Sequence, residues 1–188
     1  MVRGLLWVVV VFFPVSEIAL AVVKRSRGPA ARREDRGSLR LLWLGIVVGI
    51  GLAIAAQWIS AARWRVPAHV SRLLALGLLS GGLVLRWWAI VTLGRLFTVD
   101  VAIQDGHAVV QTGLYRFVRH PSYTGLLVAF LGLGVFFANW LSMLGLLVPV
   151  SVAVLNRVRT EEHALLSSLG PDYAAYCART KRFIPRLL

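Results

Sequence analysis

Cysteine and acidic residues are scarce in this sequence, and their scarcity excludes several classes of protein. The single cysteine, Cys177, cannot form an internal disulfide, and no group of Cys and His residues has zinc-binding spacing. Only 15% of the residues are charged, whereas a soluble domain has about 25%. With 58% hydrophobic residues and a mean hydropathy of +0.74, the chain is predicted to be an integral membrane protein.

The usual motifs of soluble cofactor-binding and nucleophilic enzymes are also missing. No Gly-x-Gly-x-x-Gly fingerprint links a strand to a helix, and Gly132-x-Gly134 lies in an apolar run, where it indicates helix packing. Cys177 has no neighbouring base and there is no nucleophile elbow, so no Ser-His-Asp or Cys-His arrangement is supported. Glu161 and Glu162 are adjacent and point to different faces of a helix, so they do not predict a metal site.

Five apolar segments of the 188-residue chain are predicted to cross the membrane, at about 20 residues for each crossing. They cover residues 5–23, 41–62, 70–94, 122–137 and 141–155. The first is too long for a signal peptide, and a basic stretch follows it, so we interpret it as a membrane helix. The remaining length does not accommodate a separate soluble domain, and we predict one domain over residues 1–188.

Two features inside the predicted spans concern packing and charge. Glycines four residues apart predict close contact between helices; they are Gly45, Gly49, Gly77 and Gly81. Glu17 lies in the first predicted span and has two interpretations. It is either a buried carboxylate that faces the helix bundle or an end-of-helix carboxylate near Lys24 and Arg25.

Basic residues are divided unevenly between the two sides of the predicted bundle. Residues 24–40, residues 94–121 and the tail from residue 156 lie on one side and carry sixteen Lys and Arg, whereas the other side carries four. The positive-inside rule therefore predicts an amino terminus outside and a carboxy terminus in the cytoplasm. Basic residues at the ends of membrane helices contact anionic lipid headgroups. The net charge of +13 is explained in this way, and it does not predict nucleic acid as a partner.

Three unusual segments gather on this predicted cytoplasmic side. Asp105-Gly106 predicts a hairpin turn within residues 97–112. Residues 113–125 concentrate Arg, His and Tyr at a helix start marked by Pro121, where free N–H groups favour a carboxylate. From residue 156 the chain predicts an amphipathic helix, which is broken at Gly170-Pro171 and restarts over residues 172–180.

Two groups of charged residues each have two interpretations. Arg157 and Glu161 are four residues apart and share a helix face. They either bind a carboxylate and an amino or hydroxyl group, or form an exposed salt bridge worth about 0.3–0.5 kcal/mol. Arg119-His120 either belongs to a ligand site or anchors the helix start at the membrane interface. The residues alone leave these alternatives open.

The motifs, taken in order, resemble the isoprenylcysteine carboxyl methyltransferase family. The resemblance extends over residues 86–185, whereas the first two spans, which belong to the N-terminal helices of residues 1–85, match only as hydrophobic helices. It rests on Leu93-Gly-Arg-Leu-Phe-Thr98, His107-Ala-Val-Val110, Gly113-Leu-Tyr115, Arg119-His-Pro-Ser-Tyr123, Arg157-x-x-x-Glu161-Glu162 and Tyr173-x-x-Tyr176. It implies an all-α integral membrane protein whose cytoplasmic cofactor pocket is formed by the hairpin-like segment, the start of helix four and the amphipathic helix.

The resemblance also implies an activity and roles for residues. The activity is methyl transfer from S-adenosyl-L-methionine to an oxygen of a lipophilic acceptor, either an isoprenylcysteine-type carboxylate or a lipid-like carboxylate or phenol. The cofactor would contact His107, Ala108, Val109, Val110, Tyr115, His120, Pro121, Ser122, Tyr123 and Glu161. Arg157 would hold the acceptor and Arg119 would support a carboxylate, while a phenol or amine acceptor would need a base from His120, Glu161 or Glu162. No metal is implied.

The composition looks prokaryotic, which predicts the cytoplasmic membrane and ranks a small lipophilic acceptor ahead of a prenylated protein. Three other functions stay open. The Arg-His-Pro segment is shared with NADPH-dependent sterol reductases, although these usually have Asn where this chain has Ser122. Wider relatives methylate phospholipid amines. The third alternative is a non-catalytic membrane subunit. Polar residues near lipid are costly, however, and a purely structural protein would not need Arg119, His120 and Arg157 there.

Overall fold

The structure, a computed structural model, describes residues 2–24, 37–99 and 108–185, and these residues form a bundle of five α-helices. The helices are α1 (Val2–Val23), α2 (Ser38–Ala55), α3 (Ala68–Leu93), α4 (Pro121–Phe136) and α5 (Trp140–Arg179). Four of them are long and apolar enough to cross a membrane, and α4 is a shorter apolar helix of 16 residues. The described ranges contain no strand, only two isolated bridges. The predicted all-α membrane fold with about five spans is confirmed.

The ends of the helices follow from local sequence. Pro121 occupies the first turn of α4, where a backbone N–H has no partner within the helix. The Asn139 side chain caps α5 by accepting a hydrogen bond from the Ser142 N–H at 3.1 Å. Gly170 has φ 51° and ψ −125° and interrupts α5 at the predicted break.

Helix α5 differs from the prediction in one respect. The predicted fifth span and the amphipathic segment after it are one continuous helix up to Gly170, because no helix-breaking residue separates them. About 30 residues of helix measure about 45 Å, which exceeds the roughly 30 Å hydrocarbon core of a bilayer. The polar part of α5 therefore extends beyond the span that its apolar part forms.

The loops alternate between the two ends of the bundle. At one end, Val99 N donates to Lys24 O at 2.9 Å, which joins the end of α1 to the segment after α3. The starts of α2 and α4 lie at this end as well, and we call it the site end. At the opposite end, Trp64 N donates to Ala138 O at 2.9 Å. The chain thus crosses the bundle five times in alternating directions, as the sequence predicts.

Glycines set the closest contacts between helices. A Cβ atom added to Gly49 of α2 would lie 2.9 Å from Leu146 O of α5, so the two backbones touch. A Cβ atom added to Gly132 of α4 would lie 2.6 Å from Leu79 N of α3. The predicted packing roles of Gly45 and Gly49, and of Gly132 and Gly134, are confirmed.

The predicted packing role of Gly77 and Gly81 is wrong. A Cβ atom added at either position would have no neighbour within 4 Å among the described residues, and both glycines are exposed. The contact face of α3 instead includes Gly82, where an added Cβ atom would lie 2.4 Å from Ala129 N of α4. One residue along a helix is a rotation of about 100°, so the neighbouring glycine faces a different side.

Candidate active site

A cavity opens at the site end between α2, α3, α4 and α5. The empty space between its side chains is about 1080 Å³, which includes space that is open to solvent. It is lined by Leu42, Arg86, Leu93, Leu96, Phe97, Thr98, Val99, Ala108, Val109, Val110, Tyr115, Arg119, His120, Ser122, Tyr123, Arg157, Glu161, Leu165, Leu169, Tyr173 and Tyr176.

Most of the predicted site residues meet in this cavity. Those that line it are Ala108, Val109, Val110, Tyr115, Arg119, His120, Ser122, Tyr123, Arg157 and Glu161. Pro121 and Glu162 are not among the described residues that line it. His107 and the predicted hairpin turn at Asp105-Gly106 lie outside the described residues.

Tyr123 joins Arg157 to Glu161 in the lining of the cavity. The Tyr123 hydroxyl donates a hydrogen bond to Glu161 Oε2 at 3.0 Å and accepts one from Arg157 Nε at 3.3 Å. Arg157 is only 2% exposed, so the exposed salt bridge that the sequence left open is wrong. Because Tyr123 lies in the first turn of α4 and faces α5, the start of one helix aligns two charges on another.

The guanidinium of Arg157 is held from several directions. Its Nη1 donates to Ser38 Oγ at 2.7 Å, and its Nη2 donates to the carbonyl oxygen of Val99. The side chain is therefore fixed by α2, by the segment after α3 and by α4. A side chain held in this way is pre-organised for contact with a ligand.

Glu162 lies one position from Glu161 but takes part in a different cluster. Its Oε1 accepts a hydrogen bond from Arg119 Nε at 2.9 Å and lies 3.2 Å from His120 Nε2. Its Oε2 accepts a hydrogen bond from Arg182 Nη2 at 2.6 Å. The hydrogen bonds from Arg182 to this carboxylate raise the pKa of the Arg182 guanidinium. The cluster orients Arg119 and His120 towards the cavity that they line.

Residues 180–183 form a C-terminal strap along the start of α4. Arg119 N donates to Lys181 O at 2.8 Å, and His120 N donates to Arg182 O at 3.0 Å. Thr124 Oγ1 donates to Phe183 O at 3.0 Å. This backbone pairing fixes the stretch before α4, and the sequence does not predict it because backbone pairing over a few residues has no side-chain pattern.

Aromatic residues form one wall of the cavity. The Tyr176 hydroxyl donates to Tyr115 O at 2.6 Å, which ties the end of α5 to the turn before α4. Burial raises the pKa of the Tyr115 phenol far above its ordinary value, so this phenol stays neutral. Tyr173 also lines the cavity. The faces of such rings attract a cation.

A buried ion pair lies beside the cavity. Arg86 of α3 donates through Nη2 to Glu17 Oε2 of α1 at 2.6 Å and through Nη1 to Ser122 Oγ of α4 at 2.9 Å. Of the two interpretations of Glu17, the carboxylate that faces the bundle is confirmed. Arg86 is not among the site residues predicted from the sequence, although two opposite charges inside predicted spans are a signal for such a pair.

The lining has a distinct chemical character. Among the described residues that line the cavity, three carry a guanidinium (Arg86, Arg119 and Arg157) and one carries a carboxylate, Glu161. Leucines form much of the remaining wall: Leu42, Leu93, Leu96, Leu165 and Leu169. The arrangement suits a ligand, or two ligands together, with a carboxylate, a cationic group and an apolar body.

Comparison with known proteins follows the same part of the chain. Residues 73–167 match the family described as the isoprenylcysteine carboxyl methyltransferase (ICMT) family. Protein-S-isoprenylcysteine O-methyltransferase B of Arabidopsis thaliana is 35% identical over 106 residues, which are 55% of this chain and 54% of that protein. Protein-S-isoprenylcysteine O-methyltransferase of Schizosaccharomyces pombe is 31% identical over 156 residues, 76% of this chain and 66% of that protein.

The fold is also similar to a solved structure, that of the eukaryotic intramembrane Ras methyltransferase ICMT. The TM-score is 0.64 with 24% sequence identity, and the likeness covers 98% of this chain and 66% of that one. The chain matches only about half the length of the plant relative.

Proposed function

The chain belongs to the isoprenylcysteine carboxyl methyltransferase family, and from this premise we propose that it transfers a methyl group from S-adenosyl-L-methionine to an oxygen of a lipophilic acceptor in the membrane. The first candidate acceptor is an isoprenylcysteine-type carboxylate, and a lipid-like carboxylate or phenol is the second. The observation that carries the proposal is the buried Arg157 in a cavity that also holds Glu161 and a wall of leucines.

The lining residues fit the cofactor. Ala108, Val109 and Val110 offer an apolar surface with backbone donors and acceptors, which suits a flat heterocycle. Glu161 offers a carboxylate for an ammonium group, and the tyrosine wall suits a cationic sulfur. When bound, the cofactor supplies an activated methyl group, and the protein supplies alignment and the exclusion of water.

Arg157 binds the acceptor carboxylate in this proposal. A guanidinium presents paired N–H donors that match a carboxylate, and the contacts with Ser38 and Tyr123 fix its direction. A carboxylic acid has a pKa of about 4, so such an acceptor is already ionised at neutral pH and needs no general base. A phenol acceptor would need a general base, and His120 and Glu161 are the candidates because both line the cavity.

Glu162 has a positioning role in this proposal, in place of the catalytic role that the resemblance implies. Its two oxygens contact Arg119, His120 and Arg182, and it is not among the described residues that line the cavity. Arg119 both lines the cavity and contacts Glu162, so it is oriented to support a carboxylate of the cofactor or of the acceptor.

The leucine wall would hold the apolar body of the acceptor, which enters from the bilayer. We place the site end on the cytoplasmic side, because Lys24, Arg119 and Lys181 lie at this end and belong to the segments in which the sequence concentrates Lys and Arg. The polar cofactor would then enter from the cytosol. The amino-acid composition supports a bacterial cytoplasmic membrane as the location.

The experiment measures methyl transfer from labelled S-adenosyl-L-methionine by detergent-purified protein. N-acetyl-S-farnesylcysteine is the first acceptor, a long-chain fatty acid and an alkyl phenol are the second and third, and the amide of the first is the matched control. We expect labelled ester from the first and none from its amide, which lacks the carboxylate. Label in the phenol alone would replace the carboxylate acceptor with a phenol. Transfer to none of them would contradict the proposal.

A further inference from the structure

Three helices meet through a continuous set of polar contacts beside the cavity. Glu17 of α1 accepts two hydrogen bonds from Arg86 of α3, one from Nε and one from Nη2, the latter at 2.6 Å. Arg86 Nη1 donates to Ser122 Oγ of α4 at 2.9 Å. Arg86 and Ser122 both line the cavity, and both are about 6% exposed.

The contact with Arg86 determines what the Ser122 hydroxyl can do. A hydroxyl has one hydrogen to donate and two lone pairs. Arg86 is a donor only, so it occupies a lone pair of Ser122 Oγ and leaves the hydrogen available. In the hydrogen bonds among described residues, Ser122 Oγ is an acceptor and not a donor. Because Ser122 lines the cavity, this hydrogen is available for donation to an acceptor atom of a ligand there.

Glu17 determines the orientation of Arg86. A guanidinium that binds both oxygens of a carboxylate has its plane fixed, and the third nitrogen then points in one direction. In this structure that direction is towards Ser122. Glu17 lies outside residues 73–167, the part of the chain that matches the family.

We infer that Glu17 and Arg86 are positioning residues that hold the Ser122 hydroxyl as a hydrogen-bond donor to the cofactor. This inference rests on the proposed function, because it takes the ligand of the cavity to be an S-adenosyl compound. The simpler alternative is that the ion pair only joins α1 to α3. The positioning role and this structural role predict different affinities for S-adenosylhomocysteine when both charges are removed together.

The test is calorimetric titration of S-adenosylhomocysteine into the full chain in detergent. The double variant Glu17→Gln/Arg86→Met leaves no unpaired charge in the bundle, so it keeps the fold while it removes the donor to Ser122. We expect the Kd to rise about three- to tenfold, as for Ser122→Ala. We expect no further rise when Ser122→Ala is added to the double variant, because the three residues act through one hydroxyl.

The matched control is Ser71→Ala. Ser71 is a buried serine of α3 whose hydroxyl has no hydrogen-bond partner among the described residues, and it does not line the cavity. Its replacement should leave the Kd unchanged. A double variant that binds as tightly as the wild type would overturn the inference.

A second variant covers the case in which the double variant does not fold. Arg86→Lys keeps the charge opposite Glu17, but its ammonium lacks the planar set of nitrogens by which Arg86 contacts Glu17 and Ser122 in fixed directions. We expect weaker binding with an unchanged melting temperature, and unchanged binding would overturn the inference. Failure of the wild type itself to bind S-adenosylhomocysteine would refute the proposed function. This outcome is distinct from failure of the inference, in which the wild type binds and the variants bind equally well.

Discussion

Replacement of Gly125 by Ala should separate α3 from α4 and weaken the site. An added Cβ atom would lie 2.5 Å from Arg86 N and 2.6 Å from Gly82 O, whereas real Cβ atoms essentially never approach closer than 3.0 Å. The helices must therefore move apart by at least about 0.5 Å, since both contacts are with backbone atoms in a close-packed interior. Overpacking of this kind costs about 1–3 kcal/mol, and the helix propensity of Ala offsets about 1 kcal/mol of it.

The same displacement should affect ligand binding. Arg86 Nη1 lies 2.9 Å from Ser122 Oγ, and a movement of about 0.5 Å would lengthen this contact to about 3.4 Å, at the limit of a hydrogen bond. We therefore expect Gly125→Ala to lower the melting temperature in detergent and to weaken S-adenosylhomocysteine binding several-fold.

Gly77→Ala is the control for this prediction. It makes the same substitution on α3, at a glycine whose added Cβ atom has no neighbour within 4 Å, so stability should be unchanged or up to about 1 kcal/mol higher. Equal melting temperatures for the two variants would refute the account of the contact between α3 and α4.

Four other substitutions separate the roles of individual residues. Arg157→Ala should lower kcat/KM for the acceptor about 10- to 100-fold with cofactor affinity nearly unchanged, as steady-state kinetics and calorimetry would show; loss of cofactor binding alone would mean that the roles are exchanged. Glu161→Gln should weaken S-adenosylhomocysteine binding about tenfold at an unchanged melting temperature, and unchanged affinity would remove Glu161 from the cofactor site. Glu162→Gln should instead lower the melting temperature, since breaking a buried ion pair costs about 3–5 kcal/mol. The loss should be smaller than this, because Arg182 is 44% exposed and its contact with Glu162 is screened by solvent. An unchanged melting temperature would contradict the positioning role of Glu162. Asn139→Ala should cost about 1–3 kcal/mol of stability without a change in affinity, because it removes the cap of α5 at the end opposite the site; weaker binding would contradict this separation.

The membrane helices could be predicted from the sequence because hydrophobic length is a local property. The five predicted spans each correspond to one helix, and the helix start at Pro121 is where the sequence places it. Whether a glycine faces another helix is not a local property, because it depends on where distant parts of the chain pack. Gly45 and Gly49 pack as predicted, whereas Gly77 and Gly81 face away from the bundle, because the same spacing occurs on exposed and buried faces.

The candidate site could be predicted where a motif is continuous, and not where its partners are distant. The order of motifs along the chain assigns Tyr123, Arg157 and Glu161 to one site, and these three residues line one cavity. The ion pair of Glu17 and Arg86 joins residues 69 positions apart, and no local pattern indicates which charge meets which. The C-terminal strap pairs with the stretch before α4 largely through backbone hydrogen bonds, which any sequence can form.

Calorimetric titration of the purified, folded wild-type protein with S-adenosylhomocysteine, with NADPH as the parallel ligand, is the decisive test of the proposed methyl transfer. We expect S-adenosylhomocysteine to bind with micromolar affinity and NADPH not to bind. Binding of NADPH alone would contradict the account in favour of a reductase. Binding of neither ligand would contradict it in favour of a non-catalytic membrane protein.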